Sequence, residues 1–519
     1  MTKNHFQVLV VGSGFAGSLT AMIARRLGFL TALVERGRHP RFVIGESSTP
    51  LANLLLEEIA GEYNLPSIRP LCKWGTWQQQ LPRLACGLKR GFTFYHHEFG
   101  RTFEPDPERR HQLLVGASPR DEIADTHWYR PDFDHYLVQQ AQALSVEYWD
   151  ETILERAIAE PNGMRLTGTR HGQPVEITAE FVVDATGPRG FLSRALGLPE
   201  KPFDSMPPTQ ALFSHFRDVG PLPDNFFSTG QTPPYPPEQA AVHHIFPGGW
   251  VWVLKFNNGI TSAGVAAVDS LARDLDFKSG EAGWQRLLGR LPSLAEIFTP
   301  AQAVTPFIHL PRPAYRSGAV AGHHWALLPS AAGFVDPLLS TGFPLALLGV
   351  KRIAGLLSLR GQQRAFQAGL EDYAHLTRLE LDAAAELVGA LYATMDSFDL
   401  FQELSLLYFA AATFSEAAQR LGKSNLANSF LLCRHPVFAD QFRRLCKSTR
   451  QPIVTGNLDA GRQQIRAAIE PFDVAGLTDR SRHPWYPAMA KDLLRSGPKL
   501  GVSEPELMTM LRKCGLTAD

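Results

Sequence analysis

Gly12, Gly14 and Gly17, followed by Glu35, have the residue types and the spacing to hold a dinucleotide. Gly12 permits a tight turn, Gly14 lets backbone approach a pyrophosphate, and Gly17 lets a helix pack on a strand. Glu35 closes the next apolar run, 23 residues after Gly12, where a carboxylate can accept hydrogen bonds from a ribose diol. The elements that must position these groups surround them. Residues 6–11 read as an apolar strand, the stretch after Gly14 as a helix, and Thr31-Ala-Leu-Val-Glu35 as a second strand. The helix start turns free N–H groups and a positive dipole end toward phosphates.

Composition bounds what else the chain does. Its 519 residues allow a large core and two or three domains. Lys+Arg and Asp+Glu both number 51, with no long run of one sign, which argues against a nucleic-acid surface or a polybasic membrane patch. Cys72, Cys86, Cys433, Cys446 and Cys514 are scattered, which predicts neither a disulfide framework nor a zinc site and fits a reducing cytoplasm. Met1-Thr-Lys-Asn-His5 leads straight into the first strand, so no signal peptide is expected. The most apolar run, Phe343 to Leu359, is broken by Lys351 and Arg352 and reads as a buried helix, not a membrane span.

The expected fold is α/β: a Rossmann-like domain over residues 1–199, to which 320–355 return, a sheet domain over 200–319, and a helical region over 356–519. Ser48 or Thr49 should cap a helix beginning at Pro50. Residues 87–103 alternate like strands, 104–127 are polar and Pro-rich like a surface loop, and 131–145 carry a helical stripe. Ser503 and Glu506 form a capping box for a last helix whose Leu507, Met510, Leu511 and Cys514 share one face. The histidine pairs His96–His97 and His243–His244 sit on strands, where neighbours point to opposite faces, so no metal site is expected.

Further segments narrow the reading. Arg41 lies just past the acidic strand end and can reach a phosphate, with Gly45-Glu46-Ser47 turning beside it. Arg130 stands at a helix start, Asp184-Ala-Thr-Gly187 ends a strand, and Phe334-Val-Asp336-Pro-Leu-Leu339-Ser-Thr341-Gly342 precedes another helix. With Gly12 to Gly17 these resemble the FAD-dependent monooxygenase superfamily. The mix is most similar to the flavin-dependent halogenases, through Gly45-Glu46-Ser47, Lys89-Arg-Gly-Phe-Thr-Phe94, the Phe334–Gly342 loop and the pair Trp250 and Trp252. The resemblance covers roughly residues 6–355.

The resemblance implies that reduced FAD and O2 oxidise halide to hypohalous acid, which a lysine then delivers to an aromatic substrate. Lys89 matches that lysine, and Lys73 is the rival. The chemistry needs an amine held among apolar groups, so that desolvation lowers its pKa. FAD is then held by Gly12, Gly14, Gly17, Glu35, Arg41, Glu46, Ser47, Arg130, Asp184, Gly187 and Asp336. Thr341 and Gly342 match the halide-holding amides, although a plain helix start beneath a flavin would look the same. Trp250, Trp252 and Leu339, with His243 and the helices after Phe343, should wall the substrate pocket.

Two departures shape the substrate expectation. Leu339 stands where tryptophan-specific halogenases carry glutamate, and Lys255 where the Trp-x-Trp-x-Ile-Pro motif ends in proline. A leucine accepts no proton, so the expected substrate is a phenolic or pyrrolic ring, free or bound to a carrier protein. No second glycine fingerprint is present, which points to a separate flavin reductase. The alternative is a halogenase-like flavin monooxygenase that hydroxylates its aromatic substrate.

Overall fold

The computed structural model describes residues 4–516 except 224–225, 227–231 and 452–457. Asn4–Val11 lies parallel to Thr31–Val34 on one side and to Gln173–Asp184 on the other, and Glu147–Trp149 and Trp325–Leu327 extend this parallel array. Phe6 and residues 8 to 11 are all buried, as strands covered on both faces require. Gly12 and Glu35 follow neighbouring parallel strands at their carboxyl ends, where open α/β sheets bind ligands. The helix Phe15–Arg26 covers the sheet, with Leu19, Met22 and Ile23 in the core.

The second sheet is mostly antiparallel. Its spine is Thr209–Arg217, Thr261–Val268, Gly249–Lys255 and Ala241–Phe246, in that order. The sheet then runs on into the first third of the chain, because Gly91–His96 pairs parallel with Ala241–Phe246 and Gln112–Gly116 adds the next strand. Residues 1–199 thus feed both sheets. The expected loop over 104–127 is corrected by this: it contains Gln112–Gly116 and the start of Asp125–Trp128. Leu113, Leu114 and Val115 form a buried apolar run, and the Pro- and charge-rich flank before it hid the strand.

The short ladder Cys86–Lys89 against Asp125–Trp128 sits between the two sheets and sets Lys89 opposite Asp125. Thr49 caps the helix Pro50–Glu62, its Oγ1 accepting from the Ala52 N–H at 3.2 Å. Helix Gly342–Ser358 packs on Phe15–Arg26 and on Pro50–Glu62. Beyond it, Gln363–Ala393 and Phe398–Arg420 are long amphipathic helices, and the last helix, Glu504–Cys514, has its Ser503–Glu506 capping box. No described helix is long and apolar enough to cross a membrane.

Candidate functional site

The glycines at the first strand end are sterically required. Gly12 has φ +101°, and a Cβ there would lie 2.6 Å from the Ala185 carbonyl oxygen. A Cβ on Gly17 would lie 1.9 Å from the Gly12 carbonyl oxygen. Glu35 reaches back across the strand ends. Its Oε2 accepts from the Ser13 N–H at 3.1 Å, from Ser13 Oγ at 2.9 Å and from Arg41 Nη2 at 3.1 Å, and its Oε1 accepts from the Gly37 N–H at 3.1 Å. Burial pushes its pKa up, but Arg41 and the Gly37 and Ser13 donors outweigh that and hold it below the usual carboxylate value.

Arg130 closes the other side of the groove. Its Nε and Nη2 donate to the two Asp134 oxygens at 2.9 and 2.7 Å, and Nη1 donates to the Gly45 carbonyl at 2.8 Å. A Cβ on Gly14 would face both the Arg130 and the Arg41 guanidinium groups. Arg41 Nε and His39 Nδ1 are buried around this groove without partners among the described residues, as polar atoms completed by a polar ligand would be. Glycine cradle, acid and unsatisfied polar atoms together fit a dinucleotide.

The strap Gly45–Ser48 links this groove to the buried lysine. The Trp128 N–H donates to the Glu46 carbonyl at 2.6 Å and the Ser48 N–H to the Thr126 carbonyl at 3.2 Å, so the strap lies along strand Asp125–Trp128. The Glu46 carboxylate pairs with His215 Nε2 at 2.8 Å in the second sheet. Ser47 and Ser48 meet Lys89, whose Nζ donates to Ser47 Oγ at 2.8 Å and to the Ser48 carbonyl at 2.5 Å. Lys89 is fully buried, with Nζ 3.8 Å from the centre of the Phe92 ring. Burial lowers its pKa to about 7, although Asp125 opposes the shift.

A cavity of about 200 Å³ opens beside this lysine. Thr49, Phe92 and Asp125 form one wall. Tyr408, Phe409, Glu416 and Arg420 of helix Phe398–Arg420 form the opposite wall, and Met510, Leu511 and Cys514 of the last helix complete it. Lys89 lies behind the Phe92 and Asp125 wall, while Lys73, half-buried, is part of the lining. Cavities of about 150 Å³ already accept benzene, so there is room here for at least one substituted ring.

Comparison with known proteins places the chain in a family. A family model described as tryptophan halogenase matches residues 126–401, more than half of the chain. This chain belongs to the tryptophan halogenase family. It is an enzyme of the flavin-dependent halogenase type. Among curated relatives it is 29% identical over 415 residues to the monodechloroaminopyrrolnitrin halogenase PrnC of Pseudomonas fluorescens, covering 78% of this chain and 71% of that one. It is 28% identical over 423 residues to the tetracycline 7-halogenase of Kitasatospora aureofaciens, covering 78% and 73%. The fold matches the crystal structure of halogenase PltM in complex with phloroglucinol and FAD at a TM-score of 0.80 and 24% identity, covering 93% of this chain and 99% of that one.

Within this halogenase fold, several residues singled out from the sequence have other partners. The Asp184 carboxylate caps its own turn, accepting from the Thr186 and Leu192 N–H groups at 2.8 and 2.6 Å, and the turn continues to Gly187 with φ +81°. Asp336 accepts from the Leu338 N–H and from Tyr392 Oη, each at 3.0 Å, and burial raises its pKa to about 6. Trp250, Trp252 and Leu339 are not in the lining of the cavity described above, although Phe92 and Tyr408 of that lining lie against His243 and the Leu339 carbonyl. Trp250 packs 5.2 Å from His243 and 5.6 Å from Trp252 inside the sheet, and Leu339 is fully buried. Leu339 acts through its backbone instead. It and Ser340 have φ +63° and +55°, and the Leu339 carbonyl accepts from Tyr408 Oη at 2.9 Å.

That turn delivers Thr341 and Gly342 to the start of helix Gly342–Ser358. Phe343 then packs 4.9 Å from Phe15 and 4.4 Å from Trp128, so the turn lies beside the nucleotide helix. The sequence reading missed Asp125, Tyr408, Phe409, Glu416 and Arg420. Glu416 and Arg420 stand four apart on a helix and pair at 2.8 Å, a local signal that was present but says nothing of what the pair faces.

Proposed function

We propose that this enzyme uses reduced FAD and O2 to halogenate a single electron-rich aromatic ring, phenolic or pyrrolic, presented free or on a carrier protein. The observation that carries this reading is an amine, Lys89, fully buried behind a cavity with room for an aromatic ring and connected by the Gly45–Ser48 strap to a dinucleotide groove. When bound, reduced FAD with O2 supplies the oxidising equivalents that turn halide into hypohalous acid. Gly12, Gly14 and Gly17 admit the pyrophosphate, Glu35 the ribose, and Arg41 a phosphate. The Asp184, Gly187 and Asp336 turns support the groove. Thr341 and Gly342 offer a helix start to the halide beside Phe15 and Phe343.

The Lys89 ammonium then holds hypohalous acid by hydrogen bonding. With its pKa near neutrality it gives up a proton to the departing oxygen more readily than an exposed lysine would. PltM, which has this fold, was crystallised with the phenol phloroglucinol, in keeping with a ring that stabilises its own cationic intermediate. A separate reductase supplies reduced flavin in this scheme.

Product mass spectrometry with FADH2, O2 and bromide, across phenols, pyrroles and indoles, tests it. A bromine isotope doublet on a phenol or pyrrole is expected. An oxygenated product formed without halide would replace halogenation by hydroxylation. Efficient halogenation of free tryptophan would overturn the substrate class.

A further inference from the structure

Asp125 is the ionisable group that meets both the cavity and the buried lysine. It is directly opposite Lys89 in the ladder, so the two side chains share a face with Cβ atoms about 5 Å apart. Asp125 is in the cavity wall and is 5% exposed. Asn53 Nδ2 donates to its Oδ1 at 2.8 Å, while Oδ2 is buried with no partner. No ion pair joins it to Lys89 among the described residues. Lys89 is spoken for by Ser47 and Ser48, and His127 and His243 also face it. Glu416 and Arg420 face Asp125 from across the cavity. A buried carboxylate oxygen with no partner among the described residues, on a residue that lines a cavity, is free to accept a proton there.

We propose that Asp125 is the catalytic base of ring halogenation, taking the proton the ring loses and returning it to Lys89. This rests on the halogenation reading above. The ring's π electrons form the carbon–halogen bond as the halogen–oxygen bond of hypohalous acid breaks. The departing hydroxide takes a proton from the Lys89 ammonium and leaves as water. The cationic ring loses its proton to the Asp125 carboxylate, and the water just formed relays that proton from Asp125 to the neutral Lys89 amine. Ring and hypohalous acid have become haloarene and water, and both side chains are as they began. Burial supports the exchange, since it raises the Asp125 pKa despite Lys89 and lowers that of Lys89 despite Asp125, bringing the two together. That convergence lets the proton return to Lys89 through the water between them.

The test uses the FAD-loaded enzyme and a phenol deuterated at the halogenated carbon. Asp125→Asn keeps an acceptor for Asn53, and its FAD affinity reports folding. Its kcat is expected to fall on the order of a hundredfold, with a primary deuterium isotope effect that the wild type lacks at mildly alkaline pH. Asp125→Glu is expected to recover much of the rate. Wild-type kcat should be bell-shaped about neutrality. The acid limb is Asp125 gaining its proton as pH falls, and the basic limb is Lys89 losing its proton as pH rises. Asp125→Asn should lose the acid limb alone. In the resting enzyme, without turnover, a carboxyl infrared band titrating near neutrality should vanish in Asp125→Asn. Should that variant fail to fold, the wild type must still develop the isotope effect as pH drops below neutrality, and its absence overturns the proposal. An Asn variant as fast as wild type overturns it too. A wild type that makes no haloarene overturns the functional reading instead.

Discussion

The nucleotide groove and the lysine chamber treat charge in opposite ways. In the groove, charges pair with close sequence neighbours: Arg41 with Glu35 at 3.1 Å and Arg130 with Asp134 at 2.7 Å. Each pair joins residues close in sequence, so local backbone geometry sets the shape of the groove. In the chamber, Lys89 and Asp125 are buried across a ladder without an ion pair, and their cost appears as pKa values moved toward neutrality. Paired charges position a ligand. Unpaired buried charges are poised to move protons.

Replacing the lysine should separate the two regions most sharply. Lys89→Met, close in volume, is expected to cut halogenation by about a thousandfold or more, with FAD affinity and the unfolding midpoint unchanged or raised. Fluorescence titration of FAD beside product assays measures this, and a parallel loss of FAD binding would erase the distinction. Arg130→Ala should behave in the opposite way. It strands the fully buried Asp134 side chain, so a stability loss of about 3–5 kcal/mol is expected in denaturant unfolding, with FAD affinity falling alongside.

The same contrast explains how much the sequence disclosed. Gly12, Gly14, Gly17 and Glu35 are legible because backbone sterics and one β-α-β unit dictate them within 24 residues. Lys89 was visible only through its neighbours in a family pattern, since a lysine's burial leaves no local mark. Its chamber was hidden. Asp125 lies in a strand taken for loop, and Tyr408, Glu416 and Arg420 come from a helix more than 280 residues further along. Trp250 and Trp252 illustrate a related point. Alternation shows that they share a face, not whether a cavity or His243 lies against it.

A smaller effect tests the groove's own logic. Glu35→Ala should weaken FAD binding by about 1.5–3 kcal/mol, since it removes charge-assisted acceptors and leaves Arg41 unpaired. Burial raises its pKa, but Arg41 and the Gly37 and Ser13 donors hold it below the usual value, so the carboxylate keeps its charge to lower pH than an ordinary glutamate. FAD affinity in the wild type should therefore persist as pH falls to the usual glutamate value and drop below it. Loss of affinity near neutrality would mean that a group other than Glu35 governs binding.

The smallest expected effect lies where the regions touch. Tyr408 is in the cavity wall, yet its hydroxyl donates 2.9 Å to the Leu339 carbonyl, inside the turn that delivers Thr341 and Gly342 to the flavin side. Leu339 and Ser340 hold left-handed backbone there, a conformation bulky residues keep only when their surroundings enforce it. Tyr408→Phe removes that donor and leaves a buried carbonyl unsatisfied, for about 1 kcal/mol of stability in denaturant unfolding. The informative readout is kinetic. If the turn holds halide, loosening it should raise the halide KM severalfold while FAD affinity stays fixed, because Glu35, Arg41 and Arg130 are untouched. A change confined to the aromatic substrate KM would instead make Tyr408 a wall residue alone, and the chamber and the groove would then be joined only through the Gly45–Ser48 strap.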